Sequence, residues 1–178
     1  MKRIPIVLGL FVLLLGVCTW AQTSQQKAGN PLNELGALLV GRWMGEVTLA
    51  YDYPGIGKKG EKLSEYDINK WIADDAAIET EWFAGKTTGK AIYAWDAASK
   101  QIKVIGVDSS GRLGQSTVTK QGGKWVYSST GSFADGRRFE SKGSLTFLDN
   151  GSTYIEEGTV IVGNEKNDYR DTYKRVSK

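Results

Sequence analysis

Turn signals recur roughly every 11 to 15 residues over most of this chain, and no helical periodicity persists after residue 42. Each signal contains glycine, asparagine, aspartate or serine, which supply the backbone geometry of tight turns. The signals are Pro54-Gly55, Asp74-Asp75, Gly85-Lys86, Ala97-Ala98-Ser99, Ser109-Ser110-Gly111, Gln121-Gly122-Gly123, Ala134-Asp135-Gly136, Asp149-Asn150-Gly151 and Asn164-Glu165-Lys166. These nine turns separate ten segments, and connections this short join strands only as antiparallel neighbours.

The segments between the turns have the alternating character of half-buried strands. The predicted strands are 42–52, 62–72, 77–84, 89–96, 101–108, 113–120, 124–133, 138–147, 153–162 and 169–176. In the eighth, one face holds Phe139, Ser141, Gly143, Leu145 and Phe147, while the other face is charged and polar. The ninth breaks the pattern, because apolar residues fall on both of its faces. Its inward face therefore stays unassigned.

A short helix is predicted before the first strand, because Asn30 and Pro31 suit a helix start and Gly41 suits its end. A sheet of ten strands with one apolar face must close, since an open sheet would expose that face and two edges. We predict an all-β, ten-stranded antiparallel up-and-down barrel with the short helix at one end. Charged residues on the outward faces argue against a barrel embedded in lipid.

The first 21 residues have the pattern of a secretory signal peptide. Lys2-Arg3 precede an apolar run from Ile4 to Val17, and Ala21 suits a cleavage site. The run is shorter than the ~20 residues of a transmembrane helix, so no membrane span is predicted. We expect cleavage near Ala21 and a periplasmic or secreted protein. The predicted organisation is a signal peptide over 1–21, a linker over 22–29 and a barrel domain over 30–178.

Cys18 leaves an alternative open, because lipidation at a cysteine in this region would tether the protein to a membrane. Lipoprotein processing sites carry glycine or alanine just before the cysteine, whereas this chain has Val17 there. Cleavage near Ala21 is therefore favoured over a lipid anchor. The mature chain would then contain no cysteine.

The chain contains no histidine, the side chain that most often serves as a general base and metal ligand near neutral pH. Ser-His-Asp and Cys-His catalysis, histidine-bound haem and histidine-containing zinc sites are therefore excluded. Removing Lys2 and Arg3 from the 23 basic residues leaves 21, against 20 acidic residues. This balance gives no electrostatic basis for a nucleic-acid partner. We predict no cofactor and no metal site.

The stretch Leu38-Leu39-Val40-Gly41-Arg42-Trp43 resembles the G-x-W opening of the calycin superfamily, which includes lipocalins and fatty-acid-binding proteins. Ten strands are closer to fatty-acid-binding proteins and nitrobindins than to eight-stranded lipocalins. The segments 91–96 and 104–111 are similar to paired strands of a secreted bacterial lipocalin-like family of unknown function. The histidine through which nitrobindins hold haem is missing, so the resemblance does not carry that chemistry.

The resemblance also implies a structural role for Gly41, Trp43 and an arginine on the last strand. In calycins the tryptophan closes one end of the barrel and packs against that arginine. Arg175 is preferred over Arg170 for this position, because it shares a strand face with Tyr169 and Tyr173. A cation–π contact of this kind contributes ~1 kcal/mol.

The chain after Ala21 retains five of the six tryptophans and all eight tyrosines, enough to line a ligand cavity. The candidate ligand-lining residues, each on the more apolar face of its strand, are Trp82, Tyr93, Trp95, Trp125, Tyr127 and Phe139. The alternative is that these side chains fill the interior and leave no cavity. The loop over 55–60 is glycine-rich and suited to gate the barrel mouth.

We expect an exported protein that binds a small apolar or amphipathic molecule in the barrel cavity. One alternative is an envelope protein-interaction module with a filled barrel and an exposed apolar patch. The other is an enzyme that modifies a lipid or isoprenoid through tyrosines and carboxylates, for which no catalytic residue is assigned. Glu79 and Glu81 share one strand face, which a solvated surface explains more simply than an acid–base pair or a Ca²⁺ site.

Overall fold

The computed structural model describes residues 29–178. The predicted signal peptide, Cys18 and all but the last residue of the predicted linker lie outside the described residues. The described chain contains a helix, ten strands and a short 3-10 turn at Asp149–Gly151. The helix is α1 (Pro31–Leu39), and the strands are β1 (Gly41–Thr48), β2 (Lys62–Ile72), β3 (Ala77–Ala84), β4 (Thr87–Asp96), β5 (Gln101–Asp108), β6 (Leu113–Gln121), β7 (Lys124–Ser132), β8 (Arg138–Leu148), β9 (Thr153–Val162) and β10 (Glu165–Ser177).

The ten strands form a closed antiparallel barrel in which each strand pairs with the next and β1 pairs with β10. The predicted all-β, up-and-down barrel with a short N-terminal helix is confirmed. Closure removes every exposed sheet edge, which is why a sheet of this size is stable in this form. Within residues 29–178, no helix is long and apolar enough to cross a membrane.

Two strand boundaries differ from the prediction by four residues, and the others agree within two. β1 ends at Thr48 rather than at residue 52, because the next residues leave the sheet in a loop that an isolated bridge between Tyr53 and Gly57 organises. β10 begins at Glu165 rather than at residue 169, because Gly163 adopts a positive φ of 61° and turns the chain at once. The ladder between β9 and β10 therefore extends to the pair Val162–Glu165.

The inward faces of the strands follow the predicted alternation, and the structure also assigns the inward face of β9. Tyr154, Glu156, Val160 and Val162 lie on that face, and Glu156 lines the interior. Glu156 and Gly158 interrupt the apolar run on the inward side, which is why periodicity alone did not identify it. The register also places Tyr154 opposite Tyr173, and their stacked rings have centroids 4.4 Å apart.

Two apolar clusters occupy the two ends of the barrel. The closed-end cluster brings α1 against the barrel interior and contains Leu32, Leu35, Leu39, Trp43, Ile78, Ile102, Val118, Trp125, Leu145, Tyr154 and Tyr173. The loop-end cluster contains Leu49, Tyr53, Phe133, Phe139, Val160 and Val162. Along β9, Glu156 falls between Tyr154 of the first cluster and Val160 of the second. A polar layer therefore separates the two apolar ends.

Candidate functional site

The barrel encloses a cavity of about 360 Å³ to which all ten strands contribute residues. This volume lies within the range of small-molecule sites, towards its lower end. Leu39 of α1 borders the cavity at one end, and Tyr51, Tyr53 and Ile56 of the β1–β2 loop border it at the other. The helix and this loop thus limit the space along the barrel axis.

The barrel is hollow because several inward aromatic rings lie against glycines on neighbouring strands. Trp82 lies directly opposite Gly89, and a Cβ atom at that glycine would overlap the indole ring. Tyr173 lies opposite Gly45, where a Cβ atom would come within 2.6 Å of the tyrosine ring. The same arrangement holds for the pairs Tyr127–Gly143, Phe139–Gly131 and Tyr169–Gly158. Rings that rest on the wall in this way leave the centre of the barrel open.

Four carboxyl groups line the cavity: Glu65, Asp67, Glu156 and Asp171. Glu65 and Asp67 are two residues apart on β2, so they point to the same face. Glu156 of β9 and Asp171 of β10 are directly opposite each other in the ladder. The strand period and the register therefore bring all four acids into the polar layer.

Tyrosine hydroxyls donate hydrogen bonds to three of these acids. Tyr154 donates to Asp67 Oδ2 at 3.1 Å, and Tyr173 donates to Glu65 Oε1 at 3.4 Å. Tyr127 donates to Glu156 Oε1 at 2.5 Å. The fourth acid, Asp171, accepts from the backbone N–H of Thr48 at 3.1 Å. Each carboxyl is thereby held at a defined position in the wall.

Burial raises the pKa values of all four acids, because a charged carboxylate loses its hydration inside the barrel. The pKa of Asp67 is raised to about 7, although the hydrogen bond from Tyr154 acts in the opposite direction. Burial, followed by the negative charge of Asp67, raises the pKa of Glu65 well above its usual value. Burial also raises the pKa values of Glu156 and Asp171. Burial therefore shifts all four acids of the cavity towards their neutral form.

Two buried polar atoms on β2 have no hydrogen-bond partner and belong to residues that line the cavity. They are Asp67 Oδ1 and Asn69 Nδ2, on side chains that are only 5% and 4% exposed. Asn69 uses its Oδ1 atom to accept a hydrogen bond from Thr80 at 2.5 Å. Buried polar groups are nearly always paired in folded proteins. These two atoms thus mark a position where a polar partner is missing.

Arg112 is a cationic side chain at the loop end of the cavity. Its Nε atom donates to Asp108 Oδ2 at 3.1 Å, and Tyr53 donates to the same oxygen at 2.6 Å. The guanidinium also lies over the rings of Tyr53, Trp82 and Phe139, at 5.5 to 5.8 Å from their centroids. Asp108 accepts the backbone N–H groups of Ser110 and Arg112, as a turn residue does. Asp108 therefore anchors both the turn and the arginine.

The six candidate ligand-lining residues divide into two groups in the structure. Trp82, Tyr93, Tyr127 and Phe139 line the cavity. Trp125 is buried in the closed-end cluster, and Trp95 packs against that cluster. Both of these tryptophans lie near the closed ends of their strands, which places them beside the helix. A role for any of the six in ligand binding stays a prediction.

Arg175 and Trp43 meet at the closed end, where the guanidinium carbon lies 4.2 Å from the ring centroid. Arg175 donates to the carbonyl of Gly151 at 2.9 Å and to the carbonyls of Leu38 and Val40. Trp43 Nε1 donates to the carbonyl of Leu39 at 2.7 Å. The carbonyls of Leu38, Leu39 and Val40 lie at the end of α1, where the last carbonyls of a helix lack partners within it. The pair therefore fixes the helix against the barrel.

Sequence reasoning missed the acids of the polar layer and Arg112. Glu65 and Asp67 lie on a strand whose outward face also carries polar residues, so no alternation singled them out. Glu79 and Glu81, which the sequence did single out, lie half-buried on the outer face of β3 and form ion pairs with the exposed Lys70 and Lys90. The solvated-face interpretation of that pair is thus confirmed. Within the described part of the chain, no group of three or more histidine, cysteine, aspartate or glutamate side chains is placed to hold a metal ion.

Comparison with known proteins adds no family assignment: no protein-family model matches the chain, and no curated protein matches it in sequence. The closed ten-stranded antiparallel barrel is consistent with the calycin-like fold that the G-x-W stretch implies. A barrel of this kind is compatible with ligand binding. The function must therefore be inferred from the geometry of the cavity.

Proposed function

We propose that this protein binds a small apolar or amphipathic molecule inside its barrel, and that it does so after export from the cytoplasm. The observation that supports the proposal most directly is the cavity of about 360 Å³ between the two apolar clusters. A barrel whose only role is structural gains stability by filling such a space. Here, glycines opposite the aromatic rings keep the space open.

The walls of the cavity suit an amphipathic occupant. Apolar and aromatic side chains line much of the cavity, and polar groups converge on its middle layer. This combination is typical of sites that orient one small molecule. The β1–β2 loop covers the open end and is the element through which we expect the molecule to enter.

Native mass spectrometry tests the proposal directly. The mature chain, residues 22–178, is purified gently from its own cell envelope, and its native mass is compared with its mass after denaturation. We expect a reproducible adduct that is lost on denaturation. A bare chain, together with unchanged tryptophan fluorescence across a panel of lipids and haem, would argue against the binding function. N-terminal sequencing of the same sample tests the predicted cleavage near Ala21.

A second candidate function is docking of another protein on the outer surface. Four exposed apolar side chains adjoin on the outward faces of β4, β5 and β6: Ile92, Ile105, Val107 and Leu113. This outer patch is what an envelope interaction module requires, although the barrel is not filled. Crosslinking in the cell with and without Ile105→Lys would test it. Loss of a crosslinked partner in the variant would favour docking.

A catalytic function requires a carboxyl or tyrosine in the interior with a strongly shifted pKa. Glu65 and Tyr127 meet this requirement, because burial raises the pKa of each group well above its usual value. The same shifts follow from burying these groups for binding alone. Chemical change of the molecule released from the barrel, measured by mass spectrometry, would distinguish an enzyme from a carrier.

A further inference from the structure

Building on the binding function proposed above, we propose that the molecule is an organic cation. Its ammonium group would lie against Asp67 and the neighbouring carboxyls, and its apolar part would lie against the aromatic walls. Two observations support this assignment: the charge of the cavity lining, in which the one cation, Arg112, is already paired, and the unpartnered oxygen of Asp67.

The first observation is the charge of the lining. Of the described side chains that line the cavity, four are carboxylic acids and one, Arg112, is a cation. Arg112 is already paired with Asp108, which lies outside the cavity lining. The cavity lining therefore carries four acids against a single cation that already has a counter-ion. A bound cation would favour the charged form of these acids.

The second observation is the position of the unpartnered atoms. Asp67 Oδ1 is a buried acceptor without a donor, and its residue is 5% exposed. The other oxygen of the same carboxyl accepts from Tyr154. An ammonium group donates up to three hydrogen bonds, so it can satisfy Asp67 and a second acid together. The free Nδ2 of Asn69 indicates that the neighbouring part of the ligand is also polar.

The protonation of the site gives the proposal a testable consequence. Without a ligand, burial favours the neutral form of Asp67, and a cation beside it would favour the charged form. Binding of a cation would therefore release a proton, and its affinity would rise with pH. The other titratable groups that face this layer are Glu65 of β2, Tyr93 of β4, Arg112 of the β5–β6 turn, Tyr127 of β7, Tyr154 and Glu156 of β9, and Tyr169, Asp171 and Tyr173 of β10.

Three matched probes separate charge from shape. They share a naphthyl ring and a two-carbon arm: 2-(1-naphthyl)ethylamine, 2-(1-naphthyl)ethanol and 1-naphthylacetate, which are cationic, neutral and anionic at neutral pH. Isothermal titration of the mature chain with each probe is carried out at pH 6, 7 and 8. We expect the amine to bind about ten-fold or more tightly than the alcohol at pH 8, since a charge-assisted hydrogen bond replaces a neutral one. We expect the acetate to bind most weakly.

The pH dependence gives a second readout. We expect the affinity of the amine to rise about ten-fold between pH 6 and pH 8, as Asp67 loses its proton. The affinity of the alcohol should not change over this range. Titrations in two buffers of different ionisation enthalpy should show proton release with the amine alone.

Variants assign the effect to the polar layer. Asp67→Asn preserves the shape of the neutral acid, and we expect it to lower amine affinity about ten-fold, to leave alcohol affinity unchanged and to remove the pH dependence. Glu156→Gln is a second variant, used in case Asp67→Asn does not fold, and we expect it to lower amine affinity while the pH dependence that Asp67 causes remains. Glu79→Gln, on the outer face of β3, is the matched control and should leave all three affinities unchanged.

The outcomes separate this inference from the binding function itself. Equal affinities for the three probes would overturn the proposal that the ligand is a cation and would indicate that water satisfies Asp67, while the binding function would stand. Tightest binding of the acetate would also overturn this proposal and would indicate that Arg112 binds an anionic group. Failure of every probe to bind would overturn it as well. The binding function fails separately, through a bare chain in native mass spectrometry.

Discussion

Arg175 joins three segments that lie far apart in the sequence: the end of α1, the turn before β9 and the last strand. Its guanidinium covers Trp43 and donates to the carbonyls of Leu38, Val40 and Gly151. The planar fork of arginine reaches several acceptors at once, whereas the ammonium of lysine is a single point charge. The identity of this residue, and not only its charge, therefore matters for the closed end.

Arg175→Lys should lower the free energy of unfolding by about 1 to 3 kcal/mol, because part-buried carbonyls at the helix end lose their donors. Urea unfolding followed by tryptophan fluorescence measures the change. Arg170→Lys is the matched control. Arg170 lies on the same strand as Arg175, but its side chain is exposed and pairs with Glu157 of β9. Equal unfolding curves for the two variants would contradict the anchoring role of Arg175.

Gly89→Ala should lower the free energy of unfolding by about 1 to 3 kcal/mol through overpacking, because the new methyl group overlaps the Trp82 ring. Gly106→Ala is the comparison variant, with a smaller loss expected, because a Cβ there would make a tight contact with a carbonyl oxygen at 3.3 Å but would overlap no ring. We expect the double variant Gly89→Ala/Trp82→Leu to recover part of the loss. A Gly89→Ala protein as stable as the Gly106→Ala protein would show that the ring does not rest on this glycine.

The β1–β2 loop, residues 49–61, is the element that covers the open end of the barrel. Tyr51 and Tyr53 stack with ring centroids 5.5 Å apart, and both contact Phe133. The hydroxyl of Tyr53 reaches Asp108 in the turn that follows β5. Burial alone would raise the pKa of Asp108, but hydrogen bonds from Ser110 and Tyr53 outweigh it and lower that pKa. The carboxylate that holds the loop therefore stays charged at neutral pH.

Tyr53→Phe should loosen the loop without unfolding the barrel, since it removes one hydrogen bond to a charged acceptor, worth about 1.5 to 3 kcal/mol. Hydrogen exchange read by mass spectrometry should show faster exchange of the amides of Leu49 and Gly60, which bond across the loop. Peptides from β8 should exchange as before. Tyr66→Phe, on the outward face of β2, is the control. Unchanged amide exchange in the loop would contradict the role of the Tyr53–Asp108 hydrogen bond in holding the loop.

Turn chemistry made the strands predictable, and the polar residues inside the barrel made part of the site unpredictable. The turn signals located all nine connections between the ten strands, so the strands were counted correctly. The inward face of β9 could not be predicted, because Glu156 occupies an inward position where the alternating pattern predicts an apolar residue. The strand whose pattern failed is thus one that contributes an acid to the cavity. Local rules are expected to fail most often where function sets the residue.

The volume of the cavity belongs to the whole molecule and could not be predicted from any one strand. It depends on which glycine lies opposite which aromatic ring, and the register of neighbouring strands decides that. Trp82 and Tyr127 were identified from their own strand faces, but their partners Gly89 and Gly143 were not. A solid and a hollow barrel therefore have nearly the same strand pattern.

The four buried acids should make the whole protein less stable as pH rises from about 5 to 8. Their pKa values are raised in the folded state, so the folded protein binds protons that the unfolded chain has released. Each such group then lowers the free energy of unfolding by about 1.4 kcal/mol for every pH unit between its unfolded and folded pKa. For Asp67 that interval ends at about 7. Urea unfolding at pH 5, 6, 7 and 8 measures the slope.

Asp67→Asn should reduce this slope by about 1.4 kcal/mol per pH unit below pH 7, because it removes one of the titrating groups. Glu79→Gln, which changes a carboxylate on the outer surface, should leave the slope unchanged. Stability that rises from pH 5 to pH 8 in the unmodified protein would mean that the buried acids are ionised in the folded state.

The pairing of β1 with β10 also determines when the protein can fold. The seam joins Arg42 near the start of the domain to Ser177 near the end of the chain, so it is a contact of very high sequence separation. Such contacts form slowly, because a long loop must close before the contact contributes. Until β10 has been synthesised, β1 and β9 each present an unpaired edge to other chains. Nascent or C-terminally truncated chains are therefore expected to be the aggregation-prone forms of this protein. We expect the thirteen-residue strand β10 to end this tendency, because it pairs with both β1 and β9 and covers their edges.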